Sequence, residues 1–351
     1  MQMVLTACVA PRGADTIRPS GYAYNEAIAQ TKSEQLLLNL VRLKYRDAIV
    51  FMDVDGVTTQ HQYGASFSTE ALFPFRQASN GSALLIPGLS TSERPTIVYK
   101  PLDSSQFAQD LLAPISPETI VLLANSGWSI ERLLACCVER LGDLSNAPSA
   151  SGPTPEIIPN NARFREASNL LRALQIDERV RVHPLLAEDG STGETVLEID
   201  AVGRPECPRL QVLLGADSCA MKYTLVAKGG YTTNEELFAQ TRTGLGALYA
   251  MSHTIETPSD HSVSDLVTNS LAESAATSDW RSFMSNLFQV SSGTEEPKQA
   301  AVKVGYRDHW FWIEDNELES KTTFNLILFL LALQSAESDG VSPLQTIDAS
   351  G

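Results

Sequence analysis

Between Glu178 and Lys228 the chain passes through four short segments, ERVRVHPLL, ETVLEIDAV, PRLQVLLG and AMKYTLVAK, each rich in β-branched and apolar residues. Gly190-Ser191-Thr192-Gly193 supplies a turn between the first two. Segments this short, joined this closely, predict an antiparallel meander. The flanking sequence has a different period. From Asn25 to Arg42 the residues Leu36, Leu40 and Leu43 recur on one helical face, widened by Leu37 and Val41, with Asn25 as a capping residue and Glu26 at the positive end of the dipole. Strand runs and helix runs in blocks, without regular alternation, point to an α+β fold: antiparallel sheets packed with helices and joined by long surface loops.

The remaining elements follow from the same signals. AIVFMDV reads as a buried strand and TTQHQYGASFS as its partner; FRQASNGSALLIPGLSTSERP is turn-rich, and Thr96-Ile97-Val98-Tyr99 is a further strand. Helices are expected over 104–112, 117–124 and 129–141, broken by Pro114 and by Asn125-Ser126-Gly127. LSNAPSASGPTPEIIPNN carries four prolines and no apolar period, which predicts a surface loop or a linker. Helices are expected again over 162–174 and 234–251, with a polar loop from Ile255 to Asp279. The strands 301–306 and 309–313, joined by an Arg307-Asp308 turn, and a helix over 317–333 close the fold. The predicted organisation is a tether over 1–23, α+β regions over 24–143 and 161–334 separated by a Pro-rich segment at 144–160, and a flexible tail over 335–351.

Charge and cysteine usage narrow the function classes. Forty-two acidic residues against 26 basic ones give a net charge of −16, which repels phosphate backbones, so no nucleic-acid partner is expected. The longest apolar run, Leu326 to Leu333, is far short of the ~20 residues that span a bilayer. A different membrane address is written in Leu5-Thr6-Ala7-Cys8: an apolar residue three before a cysteine, small residues beside it, and a thiol able to become the first residue of a mature lipoprotein. Only Met1 to Val4 precede Leu5, less than the basic region and apolar stretch of about 7–15 residues of a secretory leader, so a truncated lipoprotein signal is expected. Cys136 and Cys137 lie in an apolar helical run and read as small buried hydrophobes. Cys207 and Cys219 form a possible disulfide, which an exporting route permits. No CxxC or His/Cys cluster with zinc spacing occurs, and no metal or cofactor is expected.

Three patterns could carry chemistry. Ile49 to Val57, an apolar strand running into Asp53-Val54-Asp55-Gly56, resembles the first motif of haloacid-dehalogenase-type phosphotransferases. In that family the first aspartate attacks phosphorus, the second acts as acid and base, and both help to hold Mg²⁺. Its other motifs have only poor counterparts at 119–126 and 213–217, and an ordinary strand ending in an Asp-Gly turn is the preferred reading. Glu314, Asp315, Glu317 and Glu319 could bind a divalent ion, but they also stand where a helix begins and suit its dipole. His309, Trp310, Phe311 and Trp312 could make a stacking platform, although strand alternation buries half of them. No GxSxG elbow, phosphate loop or HExxH is present.

YNEAIAQTKSEQLLLNLVRLKYRD at 24–47, RPTIVYKPLDSSQFAQDLLAPIS at 94–116 and VGYRDHWFWIEDNELESKTTFNLILFLLAL at 304–333 together resemble a family of uncharacterised Gram-negative bacterial lipoproteins, with TRTGLGALYAM at 241–251 in keeping. The resemblance runs from Tyr24 to Leu333 and implies location and architecture rather than an activity; members have ordinary residues at the Asp53-Val54-Asp55-Gly56 position. Val9, in place of aspartate after the lipidated cysteine, implies delivery to the outer membrane. The expected function is therefore a lipid-anchored cell-envelope protein, attached through Cys8 to the periplasmic face of the outer membrane and serving as a non-enzymatic interaction or assembly component with an envelope protein as partner. The alternative is a Mg²⁺-dependent phosphohydrolase using Asp53 and Asp55.

Overall fold

The computed structural model describes residues 13–71, 83–102, 104–186, 192–226, 235–268, 270–272, 279–284 and 286–336. In chain order, α1 spans Gly13–Lys44, and β1 (Met52–Ala71) and β2 (Ala83–Pro101) form a long antiparallel ribbon. Then come α2 (Ser105–Leu112), α3 (Pro117–Asn125), α4 (Ile130–Cys137), β3 (Val138–Leu141), β4 (Leu144–Ser145) and β5 (Ile157–Ile158). They are followed by α5 (Ala162–Ile176), β6 (Val180–Leu186), β7 (Thr192–Asp200), α6 (Cys207–Leu214), β8 (Ala220–Val226), β9 (Glu236–Thr241), α7 (Gly244–His253) and α8 (Ser259–Val263). The last elements are β10 (Leu271–Ala272), β11 (Ser291–Gly293), β12 (Ala300–Tyr306), β13 (His309–Glu314) and α9 (Leu318–Ala336). The class is α+β. The chain forms two compact units, the ribbon (52–102) and everything else.

In the larger unit a six-stranded sheet has the order β4-β3-β9-β8-β7-β6. β6, β7 and β8 are three of the four segments of the expected meander and pair antiparallel, the fourth being helical; β9 then joins β8 in parallel and β3 in antiparallel sense. Phe164, Ala167, Leu171 and Leu174 recur at helical spacing along α5 and are buried with Leu197 and Ile199 of β7 and Leu237 of β9 in one apolar cluster. Elsewhere in this unit, Leu36, Leu37, Leu40 and Val41 of α1 are fully buried where that helix packs on α7 and β12. Capping sets the short helices: the Ser104 and Ser116 hydroxyls accept the Phe107 and Thr119 amides at 3.1 Å, and Pro117 opens α3.

Several sequence expectations are corrected. PRLQVLLG, expected as a strand, lies within helix α6, because Pro208 suits a first turn and Gly215, at φ 66°, supplies the left-handed C-cap. The helix expected over 234–251 is instead β9 followed by α7; Thr243 caps α7 by accepting the Gly246 amide at 2.9 Å, which starts the helix late. The helix expected over 129–141 ends at Cys137, and its last residues become β3. The turn-rich segment before Thr96 is strand β2 from Ala83 onward. Helix α1 already begins at Gly13, inside the segment expected to be a flexible tether. The Gly190 turn, the tail beyond 336 and Cys8 lie largely or wholly outside the described residues.

The Pro-rich stretch is not a linker between domains: β3 on one side of it and β9 on the other pair in one sheet, and Leu144, Asn146, Ala147 and Ala150 are buried. What orders it is a polar network around Arg242, whose side chain is 0 % exposed. The guanidinium donates to the Asn146 carbonyl and to the Ser151 hydroxyl, and lies 5.7 Å from the Phe283 ring centroid. Ser151 in turn donates to Glu139 at 2.5 Å, and Glu139 Oε1 stands 4.0 Å from the guanidinium. The Asn146 amide donates to the Leu134, Ala135 and Val138 carbonyls, and Asn161 bridges Asn146 to the Phe283 carbonyl. Burial pushes Arg242 down to about 10, opposed by Glu139, so the group stays charged at neutral pH.

Removing one member of a buried charged network leaves the other members desolvated without partners, which costs about 3–5 kcal/mol. Arg242→Met is therefore expected to lower unfolding free energy by about that much in urea titrations. Arg179→Ala, which breaks the exposed 3.3 Å pair with Asp200, is expected to cost no more than about 1 kcal/mol in the same assay.

Candidate functional site

The residues flagged in the sequence lie on different elements. Asp53 sits near the start of β1 opposite Lys100, and the ribbon has a bulge between Val54 and Gly56. A phosphotransferase of the haloacid-dehalogenase type needs its first aspartate at the C-terminal end of a strand in a parallel sheet; a two-stranded antiparallel ribbon is not that setting. Cys207, on the first turn of α6, is joined to Cys219 in a disulfide with a Cα separation of 5.4 Å. The acidic group before α9 is divided among separate partners. Glu314 accepts the Trp312 indole N–H at 2.6 Å, Asp315 pairs with Lys321 at 2.7 Å, and Glu319 pairs with the buried Arg132. Strand alternation buries Phe311 and Ile313 and leaves Trp310 and Trp312 half-buried.

A different cluster assembles from three places in the larger unit. Tyr45 and Asp47 follow α1, where Arg46 takes φ 59° and the Asp47 amide reaches back to the Arg42 carbonyl at 2.8 Å. Tyr306 and His309 flank the two-residue turn between β12 and β13, in which Arg307 and Asp308 both have positive φ, 49° and 62°, as a tight hairpin of matching twist requires. Asp260 and His261 come from α8, in the segment expected to be a polar loop. His261 is 7 % exposed.

The geometry is aromatic on one side and charged on the other. The Tyr45 hydroxyl lies 2.6 Å from His261 Nδ1, and the Tyr45 ring meets those of His261 and Tyr306 with centroids 5.5 Å away in each case. The His261 and His309 rings meet edge to face at 4.5 Å. The Asp47 carboxylate accepts the Tyr306 hydroxyl and, at 2.9 Å, the Arg307 guanidinium, which also lies 5.3 Å from the Tyr45 ring centroid. The Tyr306 hydrogen bond, with Arg307 beside it, holds the Asp47 carboxyl below the usual carboxylate range. Burial pushes the Tyr45 hydroxyl up, so it stays a phenol. Asp260 offers its two oxygens to the rings: Oδ1 is 3.5 Å from His309 Nε2 and Oδ2 is 3.8 Å from His261 Nε2. Two imidazoles and a carboxylate can bind a cation or pass a proton.

Sequence reading missed this site because its members are far apart in the chain and its histidines looked unrelated. One signal was available: the tripeptide Tyr-Arg-Asp occurs at 45–47 and again at 306–308, and the tyrosines of both copies meet here.

A second pair of titratable groups is structural. The Lys44 ammonium donates to the His253 carbonyl at 3.0 Å, and burial lowers it to about 8. His253 Nε2 is 3.0 Å from the Gly152 carbonyl, which only a ring N–H can satisfy, and its ring lies 4.8 Å from that of Trp280. No protein-family model, curated protein or solved structure matches the chain.

Burial, with Lys44 adding to it, lowers His253 from 6.5 to about 4, so the unfolded chain binds this proton more readily than the folded one. Its contribution is complete above pH 6.5 and is lost as pH falls towards 4. The loss is of order 3 kcal/mol. Urea titrations from pH 7 to pH 4 are expected to show this fall, and His253→Gln, which keeps a donor without the titration, is expected to remove that part of the pH dependence.

Proposed function

We propose that this chain is a lipid-anchored protein of the Gram-negative cell envelope, attached through Cys8 to the periplasmic face of the outer membrane and acting as a non-enzymatic interaction or assembly component. The observation that carries the reading is the Cys207–Cys219 disulfide. Disulfides persist in oxidising compartments such as the periplasm and are rare in the cytosol. The other two described cysteines, Cys136 and Cys137, are fully buried and shielded from exchange. Export supplies the route by which the LTAC sequence at 5–8 meets the lipoprotein machinery. Acyl chains contribute about 0.8 kcal/mol per buried CH₂, so two or three of them hold an acidic body on a membrane without a basic patch.

The interaction role is supported by the ribbon. Its two strands form a sheet of their own, which leaves each with an outer edge of backbone donors and acceptors among the described residues. Pro87, Pro95 and Pro101 fall an even number of residues apart on β2, so the three missing N–H groups fall on the same side of that strand and interrupt its row of donors; β1 contains no proline. An extended segment of an envelope partner would therefore add to β1.

Expressed with its upstream genomic sequence in a Gram-negative host, the protein is expected to incorporate a palmitate analogue and fractionate with outer membranes. Cys8→Ser should abolish both. Cytosolic fractionation of the parent protein without label would overturn the proposal.

A further inference from the structure

We propose that Asp260, His261 and His309 form a binding site for a divalent transition metal of the zinc class, backed by the buried Tyr45 and reached from solvent past the exposed Asp260. This goes beyond the envelope role and does not depend on it.

The donor atoms are already presented. His309 Nδ1 lies 3.2 Å from the Arg307 carbonyl, an oxygen that can only accept, so in the neutral ring the proton is on Nδ1 and the lone pair is on Nε2. His261 Nδ1 is engaged by the Tyr45 hydroxyl, which can donate or accept; when it accepts, the ring proton is on Nδ1 and the lone pair on Nε2 faces Asp260, which is the tautomer that metal binding selects. Neither Nε2 makes a hydrogen bond among the described residues. The 3.5 and 3.8 Å separations from the Asp260 oxygens are longer than hydrogen bonds of this type. All three donor atoms lie within 4.8 Å of one another. Zinc bonds of about 2.0–2.2 Å to nitrogen and oxygen place tetrahedral neighbours about 3.3–3.6 Å apart. The cluster therefore needs a contraction that the exposed Asp260 side chain, 63 % accessible, can supply by rotation.

An ordinary ion pair explains less. It would place two positively charged rings with centroids 4.5 Å apart, and its 3.5 and 3.8 Å separations are longer than the charge-assisted hydrogen bonds that two imidazolium groups make to a carboxylate. Metal-binding histidines use their second nitrogen to donate to a carbonyl or another polar group that fixes the ring. Here the Arg307 carbonyl and the Tyr45 hydroxyl are those groups. The left-handed turn at Arg307 and Asp308 places that carbonyl beside the His309 ring. Two nitrogens and one carboxylate oxygen suit zinc and its first-row neighbours, whereas calcium and magnesium prefer all-oxygen shells. Three protein donors leave a fourth tetrahedral position for water.

The test is titration of the metal-free full chain with Zn²⁺, read by calorimetry and by Tm. One ion per chain, a Zn²⁺-dependent rise in Tm, and no rise with Mg²⁺ or Ca²⁺ at equal concentration are expected. His309→Gln and Asp260→Asn should each weaken Zn²⁺ binding at least tenfold and remove the rise in Tm. Asp260 is exposed, so Asp260→Asn keeps the metal-free Tm and separates lost binding from lost folding. Tyr45 is a positioning residue: Tyr45→Phe should weaken affinity by about 10–100-fold without changing the stoichiometry. No binding by the parent chain, or unchanged affinity in both Asp260→Asn and His309→Gln, would overturn the site.

Discussion

A fully buried guanidinium is the constraint around which the larger unit is arranged. Arg242 follows the end of β9, and its own backbone ties two elements there: its amide donates to the Cys137 carbonyl at 2.7 Å, and its carbonyl accepts the Ile115 amide at 2.8 Å. Its side chain cannot be hydrated and does not shed its charge at neutral pH, so acceptors must come to it; they meet its two terminal nitrogens, while Nε has no hydrogen-bond partner among the described residues. Those acceptors come from a stretch with no regular apolar pattern, which it thereby converts from loop into core. Asn161 and Arg165 extend the arrangement to the Phe283 and Ser282 carbonyls, so the turn around Trp280 is anchored by the same region. The approach is close enough that a Cβ on Gly246 would come within 3.2 Å of Ser151.

Several patterns read from the sequence corresponded to structure where the information was local. The antiparallel pairing of β6, β7 and β8, the short helices α2 and α3, the Arg307-Asp308 turn and the burial of alternate residues in β13 all follow from residues a few positions apart. Errors arose where a short apolar run had to be assigned without its partner. Leu210, Leu213 and Leu214 are as consistent with a buried strand as with helix α6, and only Pro208 and Gly215 distinguish the two. The segment 234–251 was divided by a single capping threonine. The long-range terms were out of reach: no pattern announces that Arg242 is buried against Asn146, or that β8 pairs β9 in parallel.

The same distinction separates the sites. A motif such as LTAC is contiguous and can be read as a proposed address directly, whereas the Asp260–His261–His309 cluster exists only after α1, α8 and the β12–β13 turn have come together. Asp53 and Asp55 show the converse: a contiguous motif whose strand context is a ribbon and not the parallel sheet its chemistry needs. The disulfide, which links the first turn of α6 to the residue before β8, supports the proposed envelope location independently of the LTAC sequence. A crosslink of this kind contributes about 2–4 kcal/mol, and only where the surroundings keep it oxidised.

The most direct measurement of the central claim, residence in an oxidising envelope on a lipid anchor, is the intact mass of the protein extracted from native membranes and alkylated under denaturing, non-reducing conditions. The expected species begins at Cys8, carries acyl chains there, and takes up two alkyl groups, on Cys136 and Cys137, because Cys207 and Cys219 are bonded to each other. A chain without acyl mass, in which Cys207 and Cys219 are alkylated as readily as the buried pair, would contradict it.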